Sequence, residues 1–204
     1  MLNRWMQEYI EDIDLKNIKW INLDYEGLGK FLYDNYYDLI DKTYVTDKIL
    51  YSNYITPIGM NYLYYCDTPN DYKYLLGIVK NKKDKYTIVS AVIYLDYVYF
   101  FKEQVNPMTF LCSIEVNYFF RRNGLMKKTC NVLGNFIPDD QDVVISKESE
   151  MGKKCNSFLT AYNKIILKNP SINIYSEEEL NDIICKQNIN DKKKVLKKIN
   201  NTFF

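Results

Sequence analysis

The chain has 204 residues, of which 47% are apolar, 16% aromatic and 26% charged, enough for one large domain with a sizeable core and against global disorder. Its formal net charge of +1, from 27 basic and 26 acidic side chains, argues against a protein built mainly to bind nucleic acid. Histidine is absent, which excludes imidazole metal sites and Ser-His or Cys-His catalysis, and the five scattered cysteines form no Cys-x-x-Cys pair that would hold zinc.

The N-terminus carries Glu8, Glu11 and Asp12 with no basic region leading into an apolar core, so no signal peptide is read there. Residues 17–23, with Ile18, Trp20 and Leu23, read as a first strand. The spacing of Leu28, Phe31, Leu32, Tyr36, Leu39 and Ile40 predicts a helix from Glu26 to Lys42. In 43–66, Thr46-Asp47 can cap a short helix, Pro57 and Gly59 interrupt the pattern, and the tyrosine-rich run Tyr62 to Tyr65 follows. The apolar run Tyr72 to Val79, the polar connection Asn81 to Lys85 and the Val, Ile and Tyr-rich run Tyr86 to Phe101 read as a hairpin. Glu103 to Pro107 punctuates, and Met108 to Val116 is the next strand, completing an antiparallel meander.

The period then changes. Leu125, Cys130, Leu133 and Ile137 share a helical face, and Pro138-Asp139-Asp140 ends that helix. Val143 to Ile145 is a buried strand, Glu148 to Gly152 a polar loop, and Asn156 to Leu167 a further helix. Ile172 to Tyr175 is a short strand, and Ser176 before Glu177-Glu178-Glu179 caps a helix running to about Lys186. Asp191 to Asn200 reads as a lysine-rich helix. No run approaches the roughly 20 apolar residues of a membrane helix, and Cys66, Cys112, Cys130, Cys155 and Cys185 read as reduced thiols, with Cys112 and Cys130 as buried small hydrophobes. The expectation is a cytoplasmic protein without metal or membrane contact.

The densest chemistry lies between the fourth strand and the helix that follows it. Of the three arginines, Arg121 and Arg122 are adjacent, and they precede Asn123-Gly124-Leu125-Met126-Lys127-Lys128 at a helix start. A positive helix end, free backbone N–H groups and four cationic side chains then converge on one spot, which suits a phosphorylated ligand. The other reading is a strand-turn-helix junction with ordinary surface charge.

This layout resembles the GNAT superfamily of acyl-CoA N-acyltransferases over roughly residues 17–167, most strongly from Phe110 to Leu167. In that family the strand before the loop splays from its neighbour and pairs with pantetheine, and an Arg/Gln-x-x-Gly-x-Gly/Ala turn wraps the pyrophosphate. Arg121 and Gly124 match that turn. Met126 stands where a small residue is usual, and its side chain either obstructs the pyrophosphate or turns into the core. The resemblance implies a mixed, mostly antiparallel twisted α/β sheet with flanking helices. It assigns residues 1–170 to an acyltransferase-like domain and 171–204 to a C-terminal extension packed on or tethered to it.

It further implies acetyl-CoA or another acyl-CoA as cosubstrate, held by Val116, Arg121, Arg122, Asn123, Gly124, Leu125, Met126 and Asn156, the last one residue short of the family spacing. Glu115 would take a proton from the amine, unless it is simply solvated on its face of the strand. Tyr162 would protonate the departing thiolate, unless it is one more packing aromatic among twenty tyrosines. The acceptor would be an amine-bearing small molecule or a protein or peptide, with a homodimer left open. The competing reading is a GNAT-like binding or regulatory protein without turnover that uses the basic tail Lys192-Lys193-Lys194, Lys197-Lys198 and Phe203-Phe204.

Overall fold

The structure, a computed structural model, describes residues 10–36, 72–101 and 104–186. The readings placed on 43–66, on Cys66 and on the tail beyond Lys186 lie outside these residues. Among the described residues no helix is long and apolar enough to cross a membrane, and no cluster of ligating side chains could hold a metal ion.

Among the described residues six strands form one sheet in chain order: β1 (Lys19–Leu23), β2 (Tyr72–Lys80), β3 (Tyr86–Phe101), β4 (Gln104–Val116), β5 (Asp142–Ile145) and β6 (Ile174–Ser176). The first four pair antiparallel, while β5 joins β4, and β6 joins β5, in parallel. The mixed, mostly antiparallel sheet is the one expected. The helices are α1 (Tyr25–Tyr36), α2 (Leu125–Leu133), α3 (Glu150–Lys154), α4 (Ser157–Lys168) and α5 (177–186).

Helices cover both faces, so the central strands are apolar on both sides rather than alternating. On one face Leu28 and Leu32 of α1 meet Tyr74, Leu76, Ile78, Ala91 and Ile93. On the other, Cys130 and Leu133 of α2 and Ala161 and Ile165 of α4 meet Leu75, Val92, Leu111, Val143 and Ile145. A Cβ on Gly134, just past α2, would lie 2.9 Å from Lys168 Cγ and 3.3 Å from the Lys164 carbonyl, so its missing side chain permits the close approach of α2 and α4.

Three boundaries differ from the sequence reading. Pro107 does not punctuate but sits inside β4, opposite Val98. Leu111 turns its carbonyl toward β5, so by alternation the missing N–H of Pro107 falls on that same side, before β5 begins opposite Met108. Residues 150–154, expected as loop, form α3, whose first turn is capped by the Ser149 hydroxyl accepting from the Gly152 N–H at 3.1 Å. Helix α2 stops at Leu133 and unwinds through turns before Pro138. In the C-terminal part, β6 enters the sheet, and Leu180 and Ile184 of α5 cover Met108 and Val144. The Ser176 hydroxyl and Glu179 carboxylate form the reciprocal cap expected at the start of α5.

Candidate functional site

Strand β4 is paired with β5 only from Met108 to Leu111. Ser146 closes that ladder: its N–H donates to the Leu111 carbonyl at 3.0 Å and its hydroxyl to the Cys112 carbonyl at 2.8 Å. Beyond this point β4 runs on to Val116 while β5 has ended. At the same point β4 carries a β-bulge against β3, because Tyr94 faces Leu111 and Ile93 faces Ser113, leaving Cys112 as the extra residue.

The bulge changes which side chain faces where. Phe110 and Cys112 lie on the α1–α5 face and Leu111 on the α2–α4 face; after the extra residue, Ile114 joins Leu111 against α2 and α4. Glu115, opposite Ala91, therefore falls on the α1 face. It is only 6% exposed, which overturns the reading of a simply solvated carboxylate. Among the described residues it is the one buried acidic side chain.

The end of β4 is locked by Asn117. Its N–H donates to the Val89 carbonyl at 3.0 Å, its side-chain amide donates to the Ile88 carbonyl, and its side-chain oxygen accepts from Phe119 N–H at 3.0 Å. Because the Asn117 amide points at β3, the two-residue alternation of a strand turns the amides of Val116 and Ile114 the other way, into the gap beyond β5. The chain then makes a single 3₁₀ turn, Tyr118–Phe120, and Phe120 buries beside Leu125, Val79 and Val89.

Between those two anchors the loop is held open by backbone conformation. Arg122 and Gly124 both have positive φ, 67° and 71°. The Asn123 side-chain amide ties the loop by donating to the Phe120 carbonyl at 3.0 Å. Gly124 begins α2 without any side-chain cap, and a Cβ there would meet nothing within 4 Å. The first helical bond of this turn runs from the Lys128 N–H to the Gly124 carbonyl, so the amides of Leu125, Met126 and Lys127 have no acceptor within the helix. Thr129 pins the turn, its hydroxyl lying 2.8 Å from the Leu125 carbonyl and 2.9 Å from the Ser90 hydroxyl.

The four cations are not equivalent. Arg121 is half-buried, donates from Nε to the Val116 carbonyl at 3.3 Å, and lies over the Tyr118 ring at 5.3 Å. Lys128 donates to the Leu15 carbonyl at 3.3 Å. Arg122 and Lys127 are exposed. Met126 turns inward, packing on the α2–α4 core with its sulfur 3.8 Å from Cys130 Sγ. Of the two orientations open in the sequence, this one leaves the helix end clear.

Tyr162 lies on α4 at the border of the core rather than in it, 36% exposed, its ring stacked on Phe158 at 6.3 Å and 23°. Glu115 and Tyr162 belong to opposite sides of the sheet, the first on the α1 face and the second on a helix of the α2–α4 face. Asn156 begins α4 with φ 49° and makes no side-chain cap bond. That place is taken by Glu148, which local sequence spacing could not reveal: its carboxylate accepts from the Ser157 hydroxyl at 2.9 Å and from the Phe158 N–H. An open cleft of about 310 Å³ lies at the carboxyl ends of β5 and β6, lined by Ser146, Lys147, Glu148, Lys153, Phe158 and Glu177 among others. Ser146 thus borders both the cleft and the point where β4 and β5 separate.

No protein-family model and no curated protein matches the chain. Among solved structures, it is similar to an aminoglycoside acetyltransferase from an uncultured soil metagenomic sample, crystallised with sisomicin. That likeness has 16% identity and a TM-score of 0.44, covering 74% of this chain and 90% of the other. A ribosomal-protein-alanine N-acetyltransferase from Brucella melitensis biovar Abortus is similar at 12% identity and TM-score 0.41, over 69% of this chain and 86% of the other. A GNAT family acetyltransferase from Staphylococcus aureus is similar at 18% identity and TM-score 0.36, over 65% and 87%.

Proposed function

We propose that the chain transfers an acetyl or other acyl group from an acyl-CoA to a primary amine. The observation that carries this reading is the path of β4. Its outward-facing amides at Ile114 and Val116 lead, with no intervening element but one 3₁₀ turn, into a loop bearing Arg121 and Arg122 and an uncapped helix start. An extended amide-containing chain can pair with such a free strand edge, and a diphosphate fits the helix end that follows. The residues present suit that group: the surface beside Gly124 is open, and Met126 is turned away from it.

In this reading Ile114 and Val116 align the pantetheine arm, and the Val116 N–H polarises the thioester carbonyl as charge develops on its oxygen. The amides of Leu125, Met126 and Lys127, with Arg121 and Arg122, hold the pyrophosphate, while Asn123 keeps the loop in shape. Glu115, buried on the α1 side of the sheet while Tyr162 lies on the other, accepts a proton from the acceptor ammonium through water in the opening between β4 and β5. The freed amine then attacks the thioester carbon. As the C–S bond breaks, Tyr162 gives its phenolic proton to the CoA thiolate, and the second proton that the attacking nitrogen sheds in becoming an amide restores the phenol through water. No covalent enzyme intermediate forms, so the lack of histidine is no obstacle.

The test is thiol release from acetyl-CoA in the presence of spermidine, kanamycin or a short peptide with a free N-terminus, followed by single-turnover kinetics on Tyr162→Phe. Loss of the phenol is expected to slow the chemical step by on the order of 10²-fold. Affinity for acetyl-CoA is expected to stay within about twofold, because ring packing is kept. An unchanged chemical rate would assign the proton to water or another group. Absence of thiol release with every amine would overturn the enzyme reading.

A further inference from the structure

We propose that Glu148 is a positioning residue of this site: its carboxylate clamps the first turn of α4 and so sets the Phe158–Tyr162 ring pair at the mouth of the cleft. The inference rests on the acyl-transfer reading for Tyr162 but is carried by contacts of its own. Helix α4 has no cap from its adjoining residue, since Asn156 is left-handed and its side chain makes no cap bond. A carboxylate ten positions before Phe158 supplies it instead, taking both the Phe158 N–H and the Ser157 hydroxyl. A negative group there also opposes the positive end of the helix.

Glu148 lies in the connection that leaves β5, two residues after Ser146. Ser146 is bonded to Leu111 and Cys112 of β4, and Ser149, next in the chain, caps α3. The connection therefore ties the start of α4 to the separation point of β4 and β5. Phe158 packs against the α2–α4 core and stacks on Tyr162, one helical turn along. Glu148 and Phe158 both line the cleft. Without the carboxylate, the Phe158 amide loses its acceptor and the first turn of α4 can fray. The tyrosine then loses the ring it is held against.

The experiment uses the full chain and its Glu148→Ala and Glu148→Gln variants, each also combined with Tyr162→Phe. Hydrogen exchange read over 157–162 is expected to speed up by on the order of tenfold in Glu148→Ala and less in Glu148→Gln, which keeps an acceptor oxygen. Single-turnover transfer from acetyl-CoA to spermidine, kanamycin or the peptide is expected to slow about tenfold in Glu148→Ala, with acetyl-CoA affinity little changed and partial rescue by Gln. In the Tyr162→Phe background the same alanine substitution is expected to cost less than about twofold, because the two residues act as one unit. Additive losses in that cycle would make Glu148 a helix cap with no positioning role. Unchanged exchange would overturn the clamp itself. Faster exchange in Glu148→Ala, with no transfer by the unsubstituted chain, would instead overturn the acyl-transfer reading and the positioning role that depends on it.

Discussion

Cys130 has no exposed surface, and burial pushes its thiol up to about 12, with Lys164 pulling weakly the other way. In the unfolded chain the same thiol ionises near 9.0. A group that holds its proton more tightly when folded contributes stability that is complete below the unfolded value and is lost as pH rises from about 9 toward 12, at about 1.4 kcal/mol per pH unit. Between pH 9 and 10 the unfolding free energy is expected to fall by about 1 kcal/mol more in the unsubstituted chain than in Cys130→Ala. Urea titrations at the two pH values check this, and parallel losses would mean that the thiol reaches water. The burial of Cys130 was legible because its neighbours at helical spacing are apolar. Glu115 was different: alternation showed that it opposes Ile114 and Val116, but its depth depends on the opposing strand and on a bulge that no residue type announces. Glu148 was invisible for a related reason, since its cap acts ten residues away.

At the level of elements, the separation of β4 from β5 depends on a short set of bonds rather than on a strand-breaking sequence. Ser146 contributes the last of them, through its hydroxyl on the Cys112 carbonyl. Ser146→Ala is expected to lower stability by about 0.5–1.5 kcal/mol, read by urea unfolding, since one intramolecular hydrogen bond is lost at a half-buried position. No change would show that water replaces the hydroxyl there and that the junction is held by the backbone ladder alone. The strands themselves were legible, with β3 matching its expected bounds at Tyr86 and Phe101, because long runs of Val, Ile and Tyr leave little ambiguity. Pro107 misled, because proline is tolerated where its missing N–H falls on a stretch without a neighbour. Helix α3 was missed because it is five residues long and buries none of them, so it leaves no apolar period to read.

For the molecule as a whole, the sheet does one thing that its individual strands do not: it opens between β4 and β5 beside a loop rich in positive charge and free amides. The order of strand, turn and helix from Phe110 to Leu167 was legible, and it made the anion-binding expectation possible before any contact was known. The inward turn of Met126 was not, since it depends on how the core between the sheet, α2 and α4 packs. The central claim is that this opening and its loop hold an acyl-CoA. Calorimetric titration of acetyl-CoA into the unsubstituted chain and into the Arg121→Glu/Arg122→Glu variant tests it most directly. Binding in the micromolar range is expected for the first, with a loss of roughly 10–150-fold per charged hydrogen bond removed in the second. Equal affinity in the two proteins would move the phosphate site elsewhere, and no binding by the unsubstituted chain would contradict the account.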